Sequence, residues 1–301
     1  MKSAINWQVR NVRRSVGMTV LTFVLCLPFC RCTSNPFGGD DKISAGTSKI
    51  YGTLQLNDSA SPAGVYVWLE GFGVNTRTNA NGHFEVTLPP PSSQGSGGGV
   101  SGVFRLYFYS ANYKLASAQV LTRNGAFVYA SGDVNANGEV SSPTVLAKFL
   151  RIKTAVTPAS VPVHLAANIT VQVTLEAVDD SVTVVFPHAI GGMLGAILLK
   201  PTASEQVFVV HALPGVVGNE VTIVGRARPH TRGMVFNLQQ TSLPPAQYQV
   251  VPYLLIRHEA IPAGLMASLG ANAEAPGPNY LNIPFHREGG QFTVESSNPS
   301  N

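Results

Sequence analysis

The chain has 301 residues, 45% of them hydrophobic and only 12% charged, with 29 glycines and 21 prolines. That content is enough for buried cores and excludes a disordered chain, while glycine, proline, valine and threonine among short apolar runs favour strands joined by turns over long helices. The net charge of +4 resides in the leader: Lys2, Arg10, Arg13 and Arg14 are among the 20 basic residues, and from Cys30 onward 16 basic residues face 16 acidic ones, so no general field remains to attract nucleic acid.

The first element is MKSAINWQVRNVRRSVG, followed by MTVLTFVLCLPF over 18–29. A positive segment ahead of a short apolar run has the form of an export signal, and Pro28 interrupts a run already short for a membrane span. LPFC over 27–30 puts a leucine three residues before a cysteine and resembles the lipobox of bacterial lipoproteins. The resemblance implies a signal peptide over 1–29, lipid attachment at Cys30 and a membrane-anchored envelope protein, periplasmic or at the cell surface. An uncleaved signal anchor is the other reading of these residues. Cys26, Cys30 and Cys32 are the chain's three cysteines, so residues 33–301 hold no disulfide framework and no thiol nucleophile. The Gly-, Ser- and Asp-rich stretch to residue 46 reads as a tether over 30–46.

From residue 47 to 131 the runs KIYGTLQL, PAGVYVWLEGFG and NTRTNANGHFEVTLPPP alternate with period two between Gly, Pro and Asn punctuation, the pattern of strands. Asn81-Gly82 predicts a tight turn, with Phe84, Val86 and Leu88 on one face of the strand that follows. The order Gly52-x-Leu54, Ala63-Gly64-Val65-x-Val67-x-Leu69, Thr76-x-Thr78-x-x-x-Gly82-x-Phe84 and Leu88-Pro89 resembles the carboxypeptidase regulatory-like domain. That family implies a transthyretin-type β-sandwich and a non-catalytic module of exported proteins that scaffolds, orients or binds. The insertion SSQGSGGGVSG then predicts a flexible loop before VFRLYFYSANYKLASAQV.

Residues 132–147 read as a linker. Residues 148–262 carry a second series of alternating runs, FLRIKTAV to YQVVPYLLI, with no crossover of helix length between them, so an antiparallel sandwich is expected. It is either Ig-like or a second transthyretin-like copy, since SLPPAQYQVVPYL resembles the Leu-Pro-Pro-Gly-x-Tyr ending of regulatory-like modules. Residues 263–301 read as a C-terminal tail with one short helix and a last strand in EGGQFTVE. The expected fold class is all-β, two antiparallel β-sandwiches after the N-terminal signal or anchor segment.

GDVNANGEV over 132–140 sets Asp133, Asn135 and Asn137 at alternate positions before Gly138, as in a calcium loop, but position twelve is Thr144 rather than a carboxylate, and a turn is the favoured reading. The seven histidines show no metal-ligand spacing, there is no Gly-x-Ser-x-Gly, and GGMLG over 191–195 leads into a strand rather than a helix N-terminus. No cofactor, metal site or catalytic residue is expected, and the chain reads as non-enzymatic. RARPHTR over 226–232 reads as a solvated basic loop. If Val67 and Leu69 face the core, Tyr66 and Trp68 point away from it, and by the same alternation so do Tyr107 and Tyr109. These four aromatics form either a ligand surface for sugar rings or a protein, or a face covered by the second sandwich, the second being favoured because large exposed apolar patches are uncommon. The function expected is a structural or recognition role in a bacterial envelope, with the membrane as partner through lipid and an envelope protein or polysaccharide as further partners. The alternatives are a glycan-binding surface protein and an accessory subunit of an envelope peptidase or transporter.

Overall fold

The computed structural model describes residues 47–95, 98–258 and 260–296; the leader and Cys30 lie outside them. The first series of strands is β1 (Lys49–Thr53), β2 (Gln55–Leu56), β3 (Tyr66–Leu69), β4 (Val74–Arg77), β5 (His83–Thr87), β6 (Gly102–Tyr109), β7 (Ala116–Arg123), β8 (Ala126–Phe127) and β9 (Val145–Leu146). β1 and β5 pair antiparallel, β2 and β9 pair in parallel, and the rest form a sheet in the order β4-β3-β6-β7-β8. Alternation then dictates the core: Ile50, Phe84 and Val86 on one side pack with Val67, Leu69, Leu106, Phe108 and Val120 on the other. Gly52 faces Phe84 across the β1–β5 pair, and a Cβ on it would lie 2.7 Å from the phenylalanine ring, so glycine is what lets that ring lie across β1.

The sequence NANG occurs at 79–82 and again at 135–138, and it folds the same way twice. Asn79 Oδ1 accepts from the backbone N–H of Asn81 and His83 at 2.9 and 3.0 Å; Asn135 Oδ1 accepts from Asn137 and Glu139 at the same two distances. The glycine that closes each turn has positive φ, 79° at Gly82 and 85° at Gly138, a conformation open to glycine at no steric cost. A Cβ on Gly82 would lie 1.9 Å from the Leu54 carbonyl oxygen, and backbone cannot step aside. Gly82→Ala is therefore expected to cost about 3 kcal/mol in urea unfolding, against about 1 kcal/mol for Gly64→Ala. Gly64 has φ 82° but open space around it, so it isolates the backbone contribution.

The second series is β10 (Leu150–Thr157), β11 (Ser160–Pro162), β12 (Asn168–Ala177), β13 (Val182–Pro187), β14 (Ala196–Pro201), β15 (Phe208–His211), β16 (Asn219–Val224), β17 (His230–Asn237), β18 (Ala246–Pro252), β19 (Leu255–Ile256), β20 (Glu288–Gly289) and β21 (Gln291–Glu295), with helices α1 (Leu238–Thr241) and α2 (Ala263–Ser268). Three sheets result, β17-β12-β10-β20, β11-β21-β18-β14-β15 and β16-β13-β19. Ile152, Val171, Val173 and Leu175 pack with Ile197, Leu199, Tyr248, Val250 and Phe292 in a second core. The all-β, sandwich-forming class is thus observed, mostly antiparallel. The exceptions are the parallel pairs β2–β9, β10–β20 and β11–β21, each joining segments distant in the chain.

A third core lies between the other two. Tyr66, Trp68 and Tyr109, on the outer face of the first five-stranded sheet, share it with Ala196, Leu198, Val251 and Tyr253 on the outer face of the second, and with Leu265, Leu269 and Tyr280 from the C-terminal stretch. The described residues accordingly form a single compact unit. Two expected boundaries are corrected. The segment 132–147 is no linker, since Val134, Val140 and Leu146 enter the first core. The segment 263–301 is no tail over its described part, since β21 sits between β11 and β18 and Phe292 and Val294 enter the second core.

Candidate functional site

The four aromatics placed on the outward face of the first sheet leave the first core as alternation requires, and the rest of the chain covers three of them. Tyr66, Trp68 and Tyr109 are 3%, 6% and 3% exposed, and Tyr107 is half-buried. α2 accounts for the cover: a Cβ on Gly264 would lie 3.0 Å from the Trp68 ring, so only glycine lets the helix backbone rest on the indole. The Tyr66 hydroxyl lies 2.9 Å from Ser268 Oγ, and the Trp68 and Tyr107 rings are 5.8 Å apart. The covered face, rather than a ligand surface, is what Tyr66, Trp68 and Tyr109 form, and Tyr107 lies at its edge. The lipid-attachment residue Cys30 lies outside the described residues.

Polar side chains instead gather beside this third core. Lys148, its side chain 6% exposed, is ion-paired with Asp58, whose side chain is 24% exposed. The Tyr113 hydroxyl donates to both carboxylate oxygens of Asp58, at 3.0 and 3.2 Å, and the Lys148 ammonium lies 5.3 Å from the Tyr113 ring centroid. Burial pushes the Asp58 carboxyl up, but the hydrogen bonds from Lys148 and Tyr113 and the lysine charge outweigh it and hold the group below the usual carboxylate range. Alongside, the fully buried Asn112 donates to Leu150 O and His286 O at 3.0 and 2.9 Å and accepts from His286 N at 3.0 Å. These bonds tie the loop after β6 to the start of β10 and to the segment before β20. The group is a clamp, with each partner engaged by another member, and the loops after β2 and β6 supply two of its corners.

A second cluster corrects the basic loop. Arg226 and Arg228 are exposed, but Arg232 is 6% exposed. Its guanidinium donates to Met193 O at 3.1 Å, Thr222 Oγ1 at 2.9 Å and His230 Nε2 at 3.0 Å, pairs with Glu220, and lies 4.1 Å from the Phe186 ring centroid. It therefore joins β17 to β16 across two sheets. The reason is alternation: Arg232 is in step with Met234 and Phe236, which point inward.

The calcium-like loop spends its oxygens on backbone N–H groups: Asp133 accepts from Gln119 N in β7 at 2.7 Å, and Asn135 makes the turn already described. GGMLG is a turn in which Gly192 N–H faces the Glu220 carboxylate at 3.3 Å.

Three histidines sit in these packed regions. His258 Nε2 donates to Ala111 O at 2.6 Å and its ring lies edge-on to Tyr109 and Phe149. Burial is the largest influence on His230, His258 and His286, and it holds all three below the usual imidazole range. A depressed histidine leaves stability intact above the unfolded value of 6.5, and stability falls as pH drops from there toward the folded value, because the unfolded chain takes up the proton first. The urea midpoint is accordingly expected to fall between pH 7.5 and about 5, and His258→Gln is expected to flatten that slope. An equal slope in the variant would remove His258 from the effect.

No family model matches the chain, and no curated protein does. Among solved structures, the Bacillus anthracis TIE protein is similar over 71% of this chain at 10% sequence identity, with a TM-score of 0.22. The matched region spans 30% of that protein's chain.

Proposed function

We propose that this chain is a non-catalytic envelope protein, anchored through lipid on Cys30, that presents a rigid β-sandwich body in a structural or recognition role. The observation that carries the reading is the third core: outward faces of two sheets are spent on each other and on α2, which suits a body that holds shape rather than one that opens a cleft. The polar clusters support the non-catalytic part, because Asp58 with Lys148 and Glu220 with Arg232 are committed to one another across loops and strands.

Within that body, residues 47–131 are proposed as a carboxypeptidase regulatory-like module. Support comes from the work done by the residues that carry the resemblance: Gly52 admits Phe84, Gly82 closes the turn, and the buried Thr78 hydroxyl accepts from Val65 N at 2.9 Å, pinning the entry to β3. For 148–262 an Ig-like sandwich is proposed. Tyr248 is fully buried and its hydroxyl donates to Pro244 O, four residues upstream, at 2.7 Å, a corner bond of the kind that Ig-like sandwiches use.

Mass spectrometry of the mature N-terminus tests the anchor. A chain that begins at a diacylglyceryl-modified Cys30 and leaves the membrane fraction on Cys30→Ser is expected. An intact Met1 would replace the lipid by a signal anchor.

A further inference from the structure

A cavity of about 250 Å³ lies where the first sandwich, the β14–β18 sheet and the segment before β20 meet, and its lining includes Arg77, Lys200, Gln249, His286 and Arg287. Its lining residues include three cations and no carboxylate. In a chain whose charges otherwise balance after the leader, that imbalance is local.

Among the described residues, none of the three cations has a buried counter-ion. Arg77 spends its guanidinium on carbonyls, donating to Gly64 O at 3.1 Å and Asn282 O at 2.5 Å. Lys200 pairs at 2.8 Å with Glu205, whose side chain is 94% exposed and whose charge is therefore screened. Arg287 is the most exposed to this deficit in energetic terms. Among the described residues its Nε, shut off from solvent, has no hydrogen-bond partner and its one hydrogen bond is a long one, Nη2 to the Tyr280 hydroxyl at 3.5 Å, while its guanidinium lies 4.0 Å from the Phe285 ring centroid. Burial lowers the guanidinium's pKa as well. A guanidinium withdrawn from water needs a partner that takes its planar fork, and a carboxylate or phosphate does so with two parallel hydrogen bonds.

We propose that this cavity is a binding site for a small oxyanion, free phosphate or a carboxylate borne on a sugar, held by Arg287 from the inside and by Arg77 and Lys200 at the rim. A structural cation stacked on Phe285 would account for the ring contact alone. The proposal accounts also for the two further cations and the missing carboxylate in the lining. It does not depend on the state of Cys30.

The test is titration of the full chain in neutral detergent with inorganic phosphate, with galacturonate and with uncharged galactose, at constant ionic strength set by chloride, followed by calorimetry and by thermal unfolding. Phosphate or galacturonate is expected to bind and raise the unfolding temperature, galactose to do neither. Arg77→Gln is expected to weaken binding roughly tenfold, the loss of a charge-assisted pair of bonds, and Arg287→Gln more. Arg226→Gln, in the exposed loop, is expected to titrate as the parent does. Should Arg287→Gln fail to fold, Lys200→Gln with Arg77→Gln carries the comparison. Response to galacturonate alone identifies the sugar-borne acid, to phosphate alone the free anion, and either supports the site. No binding of either oxyanion, or equal affinity in the parent and the Arg77→Gln variant, overturns it.

Discussion

Trp68→Ala is expected to lower the unfolding free energy by about 3–5 kcal/mol, the range for emptying a packed aromatic site. The indole is 6% exposed and closed in by Gly264 and Tyr107, so removing it leaves a void that α2 cannot fill without drawing its own Leu265 and the adjoining Leu269 from their places in the third core. The same substitution on a free binding strip would leave stability within a few tenths of a kcal/mol, since exposed side chains contribute little to it. Tyr66→Phe supplies the scale: it removes only the hydroxyl contact to Ser268 and is expected to cost about 1 kcal/mol. Urea unfolding followed by circular dichroism measures both.

The second large effect is at the clamp. Asp58→Ala leaves the Lys148 ammonium buried without its carboxylate and is expected to cost about 3–5 kcal/mol, whereas the double variant Asp58→Ala with Lys148→Met is expected to recover much of that loss. The reason is asymmetry: a buried ion pair contributes little net stability over an apolar pair, but half of one is strongly unfavourable. Tyr113→Phe, which deletes a donor to both Asp58 oxygens, is expected to cost about 1–2 kcal/mol. Additive losses in the double variant would mean that Asp58 and Lys148 act separately.

Strand positions were legible because alternation is a local property, and each expected run of the second series corresponds to a strand from β10 to β18. The third core was legible in part. Tyr66–Leu69 and Ala196–Leu199 are apolar at consecutive positions and buried on both faces, where a sheet with one wet face would alternate. Sequence alone left open what covered them, because α2 lies some 200 residues from β3 and such pairings leave no local trace.

The charged clusters were missed although a signal existed. Lys148 is in step with Leu146 and Leu150, and Arg232 with Met234 and Phe236, so each is a cation at an inward position of an alternating run. Such a cation must find a partner inside. What the pattern cannot supply is the partner's identity: Asp58 is 90 positions from Lys148 and sits in a turn. The oxyanion cavity had no such signal, since Arg77, Lys200 and Arg287 come from three separate parts of the fold.

The chain has two tryptophans, so in a Trp7→Phe variant Trp68 alone reports its surroundings by fluorescence. Blue-shifted emission that acrylamide quenches weakly, moving to the red only as the protein unfolds, is the result predicted for an indole enclosed between two sheets and α2. Red-shifted, readily quenched emission from the folded protein would contradict the third core and with it the rigid body proposed here.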